Sequence, residues 1–438
     1  MSEVRTLKES INITLESAGF LTDSGDYVDG LIDAERAKEN YVISLRHRLI
    51  LNENREKTKI DLIYESPATS KGRLKGRPGH SCIYFKIYDS TQDIKQIRKD
   101  IWNTGMAPLL WLIGPTSVRI YDAFARPEET DTEKTHILDI LTITSEGLEG
   151  VEKFMRELFD TGKFWESDIG KNVNPNQRVE KALLDDLWDT EKILTPKRGG
   201  LPVHIAHAIL GRSIFMAYLW DRKIITSEFL KAEFGHSDME DLLTDKPQLY
   251  KFFRWLRNKF NGDLFPIYDG EEDIVNEKKH LKLIYLFFKG TDMSSVKFKN
   301  NNEIVEYQER LWPYNFDIIP IELISSIYEM FAHSNDPIDA RAKSIHYTKL
   351  HLVELVQSIA MLDLPDDARI LDPACGSGVF LVDAFRRLVW KKKVTLEREL
   401  THEDILDILL NQIYGVDVEP GAVEVTAFSL YLALLELD

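Results

Sequence analysis

Ile370 to Leu381 reads Ile-Leu-Asp-Pro-Ala-Cys-Gly-Ser-Gly-Val-Phe-Leu and leaves the chain few folds to choose from. It is a short apolar strand, a tight glycine turn and the start of a helix. Parallel α/β sheets bind nucleotide-type ligands with this arrangement at the carboxyl end of a strand. Glycine lets the backbone approach a ligand where a Cβ would block it. The stretch is not Gly-x-Gly-x-x-Gly and has no Gly-Lys-Ser/Thr, which speaks against dinucleotides and nucleoside triphosphates.

Ile413-Tyr414-Gly415-Val416-Asp417 is a second short strand ending in an acid. In Rossmann-like sites such an acid accepts hydrogen bonds from ribose hydroxyls. The distance from Gly378 is 417 − 378 = 39 residues, longer than the usual ~20. Helices expected over Val379–Trp390 and Thr401–Asn411 fill the extra length, and Gly421–Leu437 follows as an apolar helix. Asp372-Pro373-Ala374-Cys375-Gly376-Ser377-Gly378 with Phe380 resembles the first motif of adenine-N6 DNA methyltransferases. Tyr-Gly-Val-Asp417-Val418-x-Pro resembles their second. The resemblance implies an S-adenosylmethionine site formed by Asp372, Pro373, Ala374, Cys375, Gly376, Ser377, Gly378, Asp417 and Val418. It also implies that Tyr347 and Thr348 close over the methionine end, with Lys349 where the family usually has proline. A second reading of Thr348 is a helix cap.

Members of that family hold the flipped adenine with an Asn/Asp-Pro-Pro-Tyr/Phe motif. None occurs in these 438 residues, so no catalytic residue is assigned. The expectation is that the chain supplies the cofactor half of a methyltransferase site and is inactive alone. It would be a shortened chain, a shortened gene or one half of a split enzyme.

Composition is globular, with 43% hydrophobic and 29% charged residues. Two cysteines, Cys82 and Cys375, make no disulfide framework. No apolar run is expected to approach the ~18 residues of a membrane span, and the N-terminus is no signal peptide, so a cytoplasmic protein is expected. A net charge of −17 argues against general avidity for nucleic acid, because phosphate binding draws on lysine and arginine. A local basic loop, Lys71, Arg73, Lys75 and Arg77, is the candidate DNA contact. The run Lys391–Lys393 reads as a solvated surface.

Strands at Ile60–Tyr64 and Ser81–Tyr88 flank the basic loop. A helix over Asp93–Trp102 and strands at Leu109–Ile113 and Val118–Asp122 follow. This order resembles the restriction-nuclease fold at the front of fused restriction–modification enzymes, which carries an Asp and a Glu-x-Lys on adjacent strands. Asp61 and Lys86 fit the outer positions. Tyr84 takes the glutamate's place, and a phenol of pKa ~10 is a poor ligand for a hard cation. A vestigial, inactive nuclease is expected, with no metal site; migration of Glu65 into the role is the other possibility.

Residues 175–345 read as helical. His204 and His207 lack a third ligand motif, so they are read as structural. Gly-Arg-Ser-Ile-Phe, Phe-Asn-Gly and Ile-Pro-Ile-Glu-Leu-Ile resemble the helical connector of type IIG restriction–modification proteins and phage-defence methyltransferases.

The expected fold is α/β. Residues 1–170 form a nuclease-like α/β domain, 171–345 a helical connector, and 346–438 the start of a Rossmann-like, S-adenosylmethionine-binding methyltransferase domain. The implied partners are double-stranded DNA, and either other subunits of a defence complex or the missing C-terminal half; no membrane is involved. The implied function is part of a site-specific adenine-N6 DNA methyltransferase of a restriction–modification or phage-defence system. The rival is a non-catalytic scaffold subunit binding DNA or a partner.

Overall fold

The computed structural model describes residues 6–39, 47, 50–51, 55–67, 78–89, 93–196, 200–260, 266–299, 303–335, 348, 350–361 and 364–437. They belong to two compact units, residues 1–181 and 182–438.

The first unit is built on a seven-stranded sheet whose spatial order follows the chain. Its strands are β1 (Leu31–Ile32), β2 (Leu62–Pro67), β3 (Pro78–Ile87), β4 (Leu109–Ile113), β5 (Ser117–Asp122), β6 (Ile137–Ile143) and β7 (Leu148–Glu149). Neighbours run antiparallel except β3 and β4, which are parallel. A parallel pair needs a crossover, and helix α2 (Ile94–Thr104) supplies it after helix α1 (Leu7–Ser17) has opened the unit. Asp93 caps α2 by accepting from Lys95 N–H at 2.9 Å, and Gly105 ends it in a left-handed turn.

Strand β4, Leu-Leu-Trp-Leu-Ile, is buried throughout because both faces of the sheet are covered. Leu109, Trp111 and Ile113 join Phe20, Phe85 and Phe154 on one face. Leu110 and Leu112 join Tyr84, Ile97 and Ile101 on the other. The expected strands at 60–64 and 81–88 start and stop one to three residues away, at 62–67 and 78–87. Strands β1, β6 and β7 were not anticipated: β1 and β7 have two residues each, and only two of the seven β6 residues are buried.

The second unit holds helices α3 (Val179–Leu194, which begins at the boundary), α4 (Val203–Asp221), α5 (Lys246–Phe260) and α6 (Leu323–Asn335). Helix α4 is buried at every position from Ile205 to Leu219, which accounts for its largely apolar sequence; the polar residues within it, such as Arg212 bonded to Glu271, are buried with it. His207 lies 3.1 Å from Glu191 and stacks on Phe331. The region is not purely helical, contrary to expectation. Strands β8 (Thr291–Lys299) and β9 (Glu303–Glu309) form an antiparallel hairpin that is a sheet of its own.

The C-terminal part of this unit runs α7 (Leu350–Ala360), β10 (Ile370–Asp372), α8 (Val379–Leu396), α9 (His402–Gln412), β11 (Ile413–Gly415) and α10 (Pro420–Leu437). Helix α8 extends six residues past Trp390. Its lysines are neutralised there: Lys391 pairs with Asp366, Lys392 with Asp404 and Asp407, and Lys393 with Glu399. Glu397, in the left-handed region, ends the helix.

Helix α10 corrects the expectation about apolar runs, since by length and composition it could cross a membrane. Here Val425, Phe428 and Leu432 are buried, and Phe428 packs edge-on against Phe215 of α4 with ring centroids 3.9 Å apart.

Candidate functional site

Strands β10 and β11 are parallel, with Ile370 opposite Ile413, Leu371 opposite Tyr414 and Asp372 opposite Gly415. Side chains alternate between faces: Ile413 is buried, whereas Leu371 and Tyr414 share an exposed face. The two strands therefore end side by side, and the Asp372–Gly378 loop crosses above them.

The ladder continues into the loop. Val416 N–H donates to the Asp372 carbonyl at 3.0 Å, and Cys375 N–H donates to the Val416 carbonyl at 2.9 Å. Ala374 N–H donates to the Asp372 carboxylate at 3.1 Å. Gly378 N–H closes the turn on the Cys375 carbonyl at 2.8 Å. Gly376 (φ +53°) and Gly378 (φ +83°) are both left-handed, a conformation that costs other residues free energy.

The open side of the loop differs from its packed side. A Cβ at Gly376 would meet nothing within 4 Å, whereas one at Gly378 would lie 2.7 Å from Thr426. Cys375 faces inward at 5% exposure, and burial pushes its thiol above the ordinary value. It therefore packs as a neutral group.

Asp417 brings the two motifs together. Its Oδ2 accepts from Gly376 N–H at 2.8 Å, and its Oδ1 accepts from Glu419 N–H at 2.9 Å. An ionised carboxylate has about four acceptor positions, so about two remain for outside donors. Pro373 and Ala374 are exposed, and Val418 is 89% exposed beside them. Helix α8 starts at Gly378 with no side-chain cap, so its first N–H groups point out beside the loop unsatisfied by a side chain. Thr348 lies half-buried just before α7. Tyr347 is outside the described residues.

Two residues that hold the loop were missed in the sequence. Thr426 Oγ1 of α10 donates to the Gly376 carbonyl at 2.9 Å. Ser325 Oγ of α6 donates to the Ser377 carbonyl at 3.3 Å. Thr426 left a faint signal, as a polar residue on an apolar helix. Ser325 left none, because it arrives from 52 residues upstream.

In the first unit, Asp61, one residue before β2, meets Lys86 of β3. Lys86 Nζ donates to Asp61 Oδ2 at 3.0 Å, and Ile87 N–H donates to the same oxygen at 2.8 Å. Tyr84 is fully buried in the core with Ile60 and Ile63. Glu65 is buried and paired with His47 Nδ1. Among the described residues no group of three or more His, Cys, Asp or Glu is placed to hold a metal ion. The loop carrying Lys71, Arg73, Lys75 and Arg77 lies outside the described residues.

Comparison with known proteins points to the same segment. The family described as "MmeI, DNA-methyltransferase domain" matches residues 346–438. A Methanocaldococcus jannaschii protein named a type II restriction enzyme and methyltransferase is 46% identical over 81 residues, 18% of this chain and 7% of that one. The type I restriction enzyme MjaVIII methylase subunit of the same organism is 22% identical over 270 residues, 56% of this chain and 44% of its own length. The adenine-specific methyltransferase BrxX of Escherichia coli O9:H4 is 35% identical over 75 residues, 17% of this chain and 6% of that one. The matches thus span less than half the length of each of these relatives. Residues 346–438 are thus similar to a DNA-methyltransferase domain and to proteins named for restriction–modification, as the motifs had suggested.

Proposed function

We propose that this chain is part of a site-specific adenine-N6 DNA methyltransferase of a restriction–modification or phage-defence system, and that it supplies the S-adenosylmethionine-binding half of the active site. The observation that carries the reading is the meeting of Asp417 with the Gly376 amide across two parallel strand ends, below a loop face with room for a ligand. The residues fit the cofactor. Asp417 keeps acceptor positions for ribose hydroxyls, and the start of α8 offers N–H donors to an anionic group. Tyr347 and Thr348 are assigned to the methionine end, and Pro373, Ala374 and Val418 to the rim.

Bound S-adenosylmethionine would supply an electrophilic methyl group. Asp417 would orient the ribose, the Asp372–Gly378 backbone would fix the cofactor's position, and Cys375, held neutral, would only fill space. These 438 residues contain no Asn/Asp-Pro-Pro-Tyr/Phe motif, so groups that hold the target adenine must be provided from elsewhere. Double-stranded DNA is the proposed partner, with Lys71, Arg73, Lys75 and Arg77 as phosphate contacts, and the proposed location is the cytoplasm. The expected result is heat on calorimetric titration with S-adenosylmethionine and background incorporation when the chain alone meets adenine-rich duplex and tritiated cofactor. A silent titration would favour the scaffold reading. Methylation by the chain alone would show that the catalytic groups have been misplaced.

The first unit is proposed to be nuclease-like in fold and inactive. Support comes from the parallel β3–β4 pair joined by α2, and from Asp61 tied to Lys86 beside a core tyrosine. A single carboxylate holds magnesium weakly. Incubation of supercoiled plasmid with magnesium or manganese is expected to leave it uncut. Nicking that disappears in Asp61→Ala would overturn this and bring Glu65 back as the second ligand.

A further inference from the structure

Resting on the reading of the Asp372–Gly378 loop as a cofactor site, we propose that Thr426 is a positioning residue that sets which loop amide faces the bound molecule. The argument begins with the freedom of Gly376-Ser377-Gly378. Both glycines sit at positive φ, and glycine crosses between backbone regions at little cost. The peptide planes around Ser377 could therefore turn over unless something held them.

Two hydroxyls hold them. Thr426, 4% exposed on α10, donates to the Gly376 carbonyl at 2.9 Å. Ser325, 1% exposed on α6, donates to the Ser377 carbonyl at 3.3 Å. A trans peptide points its N–H opposite its C=O. With the Gly376 carbonyl turned in toward α10, the Ser377 N–H is turned out.

The neighbouring amides are already spent. Gly376 N–H goes to Asp417 and Gly378 N–H to the Cys375 carbonyl. Ser377 N–H has no protein acceptor among the described residues. It is a fixed donor at the open face, available to an acceptor atom of the cofactor. Thr426 also sets the spacing from behind. Its Cγ2 and Oγ1 both lie 2.7 Å from where a Cβ on residue 378 would stand, so the hydroxyl reaches the loop only because that residue is glycine.

Two substitutions in the full chain separate the hydroxyl from the packing. Thr426→Val keeps the shape and loses the donor; Thr426→Ser keeps the donor and loses the methyl group. The probes are hydrogen exchange of the Gly378 amide without ligand, and calorimetric titration with S-adenosylhomocysteine. The proposal expects faster exchange and roughly 5- to 10-fold weaker binding in Thr426→Val, the scale of one lost hydrogen bond, with Thr426→Ser near wild type on both. Thr426→Val behaving as wild type while Thr426→Ser is impaired would assign Thr426 to packing and overturn the proposal. If the wild-type chain binds no S-adenosylhomocysteine, the cofactor reading fails. The exchange data then decide the clamp by themselves: loss of protection in valine but not serine upholds it, and equal protection ends it.

Discussion

Arg386→Ala is expected to cost about 3–5 kcal/mol of stability, the range for removing one partner of a buried ion pair. Arg386 sits on α8 at 4% exposure. Its Nη1 donates to Glu322 at 2.7 Å, and its Nη2 donates to Glu436 of α10. Arg222 at the end of α4 reaches the same Glu436 at 3.7 Å. Burial by itself would lower the guanidinium's pKa, but Glu436 and Glu322 outweigh it and hold it above its ordinary value. Alanine would take the guanidinium away from both Glu322 and Glu436.

Burial likewise works against the Glu436 carboxylate, and Arg386 with Arg222 outweighs it, holding it below its ordinary value. A lowered folded pKa contributes stability that is present above the unfolded pKa of ~4.3 and is lost as pH falls through the folded value. The deficit of Arg386→Ala should therefore be widest near neutral pH and shrink in acid. Denaturant melts at several pH values measure it. A deficit that stays constant with pH would mean that packing, not charge, holds the helices. Combining Arg386→Met with Glu322→Gln and Glu436→Gln should recover much of the loss.

Asp417→Ala is expected to weaken S-adenosylmethionine by about 1–3 kcal/mol, or roughly 5- to 150-fold. The substitution removes the acceptor assigned to the ribose hydroxyls. It also frees Gly376 N–H and Glu419 N–H, which Asp417 now holds at 2.8 and 2.9 Å. Asp417→Asn retains one acceptor oxygen and should fall between alanine and wild type. Titration calorimetry on the three proteins checks the order. Equal affinity in all three would remove Asp417 from the site.

The strand–turn–helix frame of the candidate site was legible because it is local. A strand, a glycine turn and a helix start are adjacent in the chain, and a strand-end acid announces itself by its apolar neighbours. The side chains behind the loop were not legible. Ser325 lies 52 residues from its acceptor, and such a distance leaves no pattern in a window. The alternation of β4 and β5 with α2 between β3 and β4 was readable from apolar runs and turns. Strands β1 and β7 were not, since two residues carry no period. The β8–β9 hairpin was passed over because its aromatic and charged residues were read within a helical region. Phe298 faces Ile304 and Lys297 faces Glu306, a cross-strand pattern that becomes plain only once the register is known.

That hairpin gives the acidic balance of the chain a local meaning. A two-stranded sheet standing apart has two open edges, and open edges invite other chains to pair. Val305 and Tyr307 on β9 are exposed and would suit such pairing. Glu303, Glu306 and Glu309 occupy three of the seven positions of the same strand. Adding a copy of β9 to its own edge would line up carboxylates with carboxylates. Part of the −17 net charge thus acts as a guard against self-templating along this hairpin.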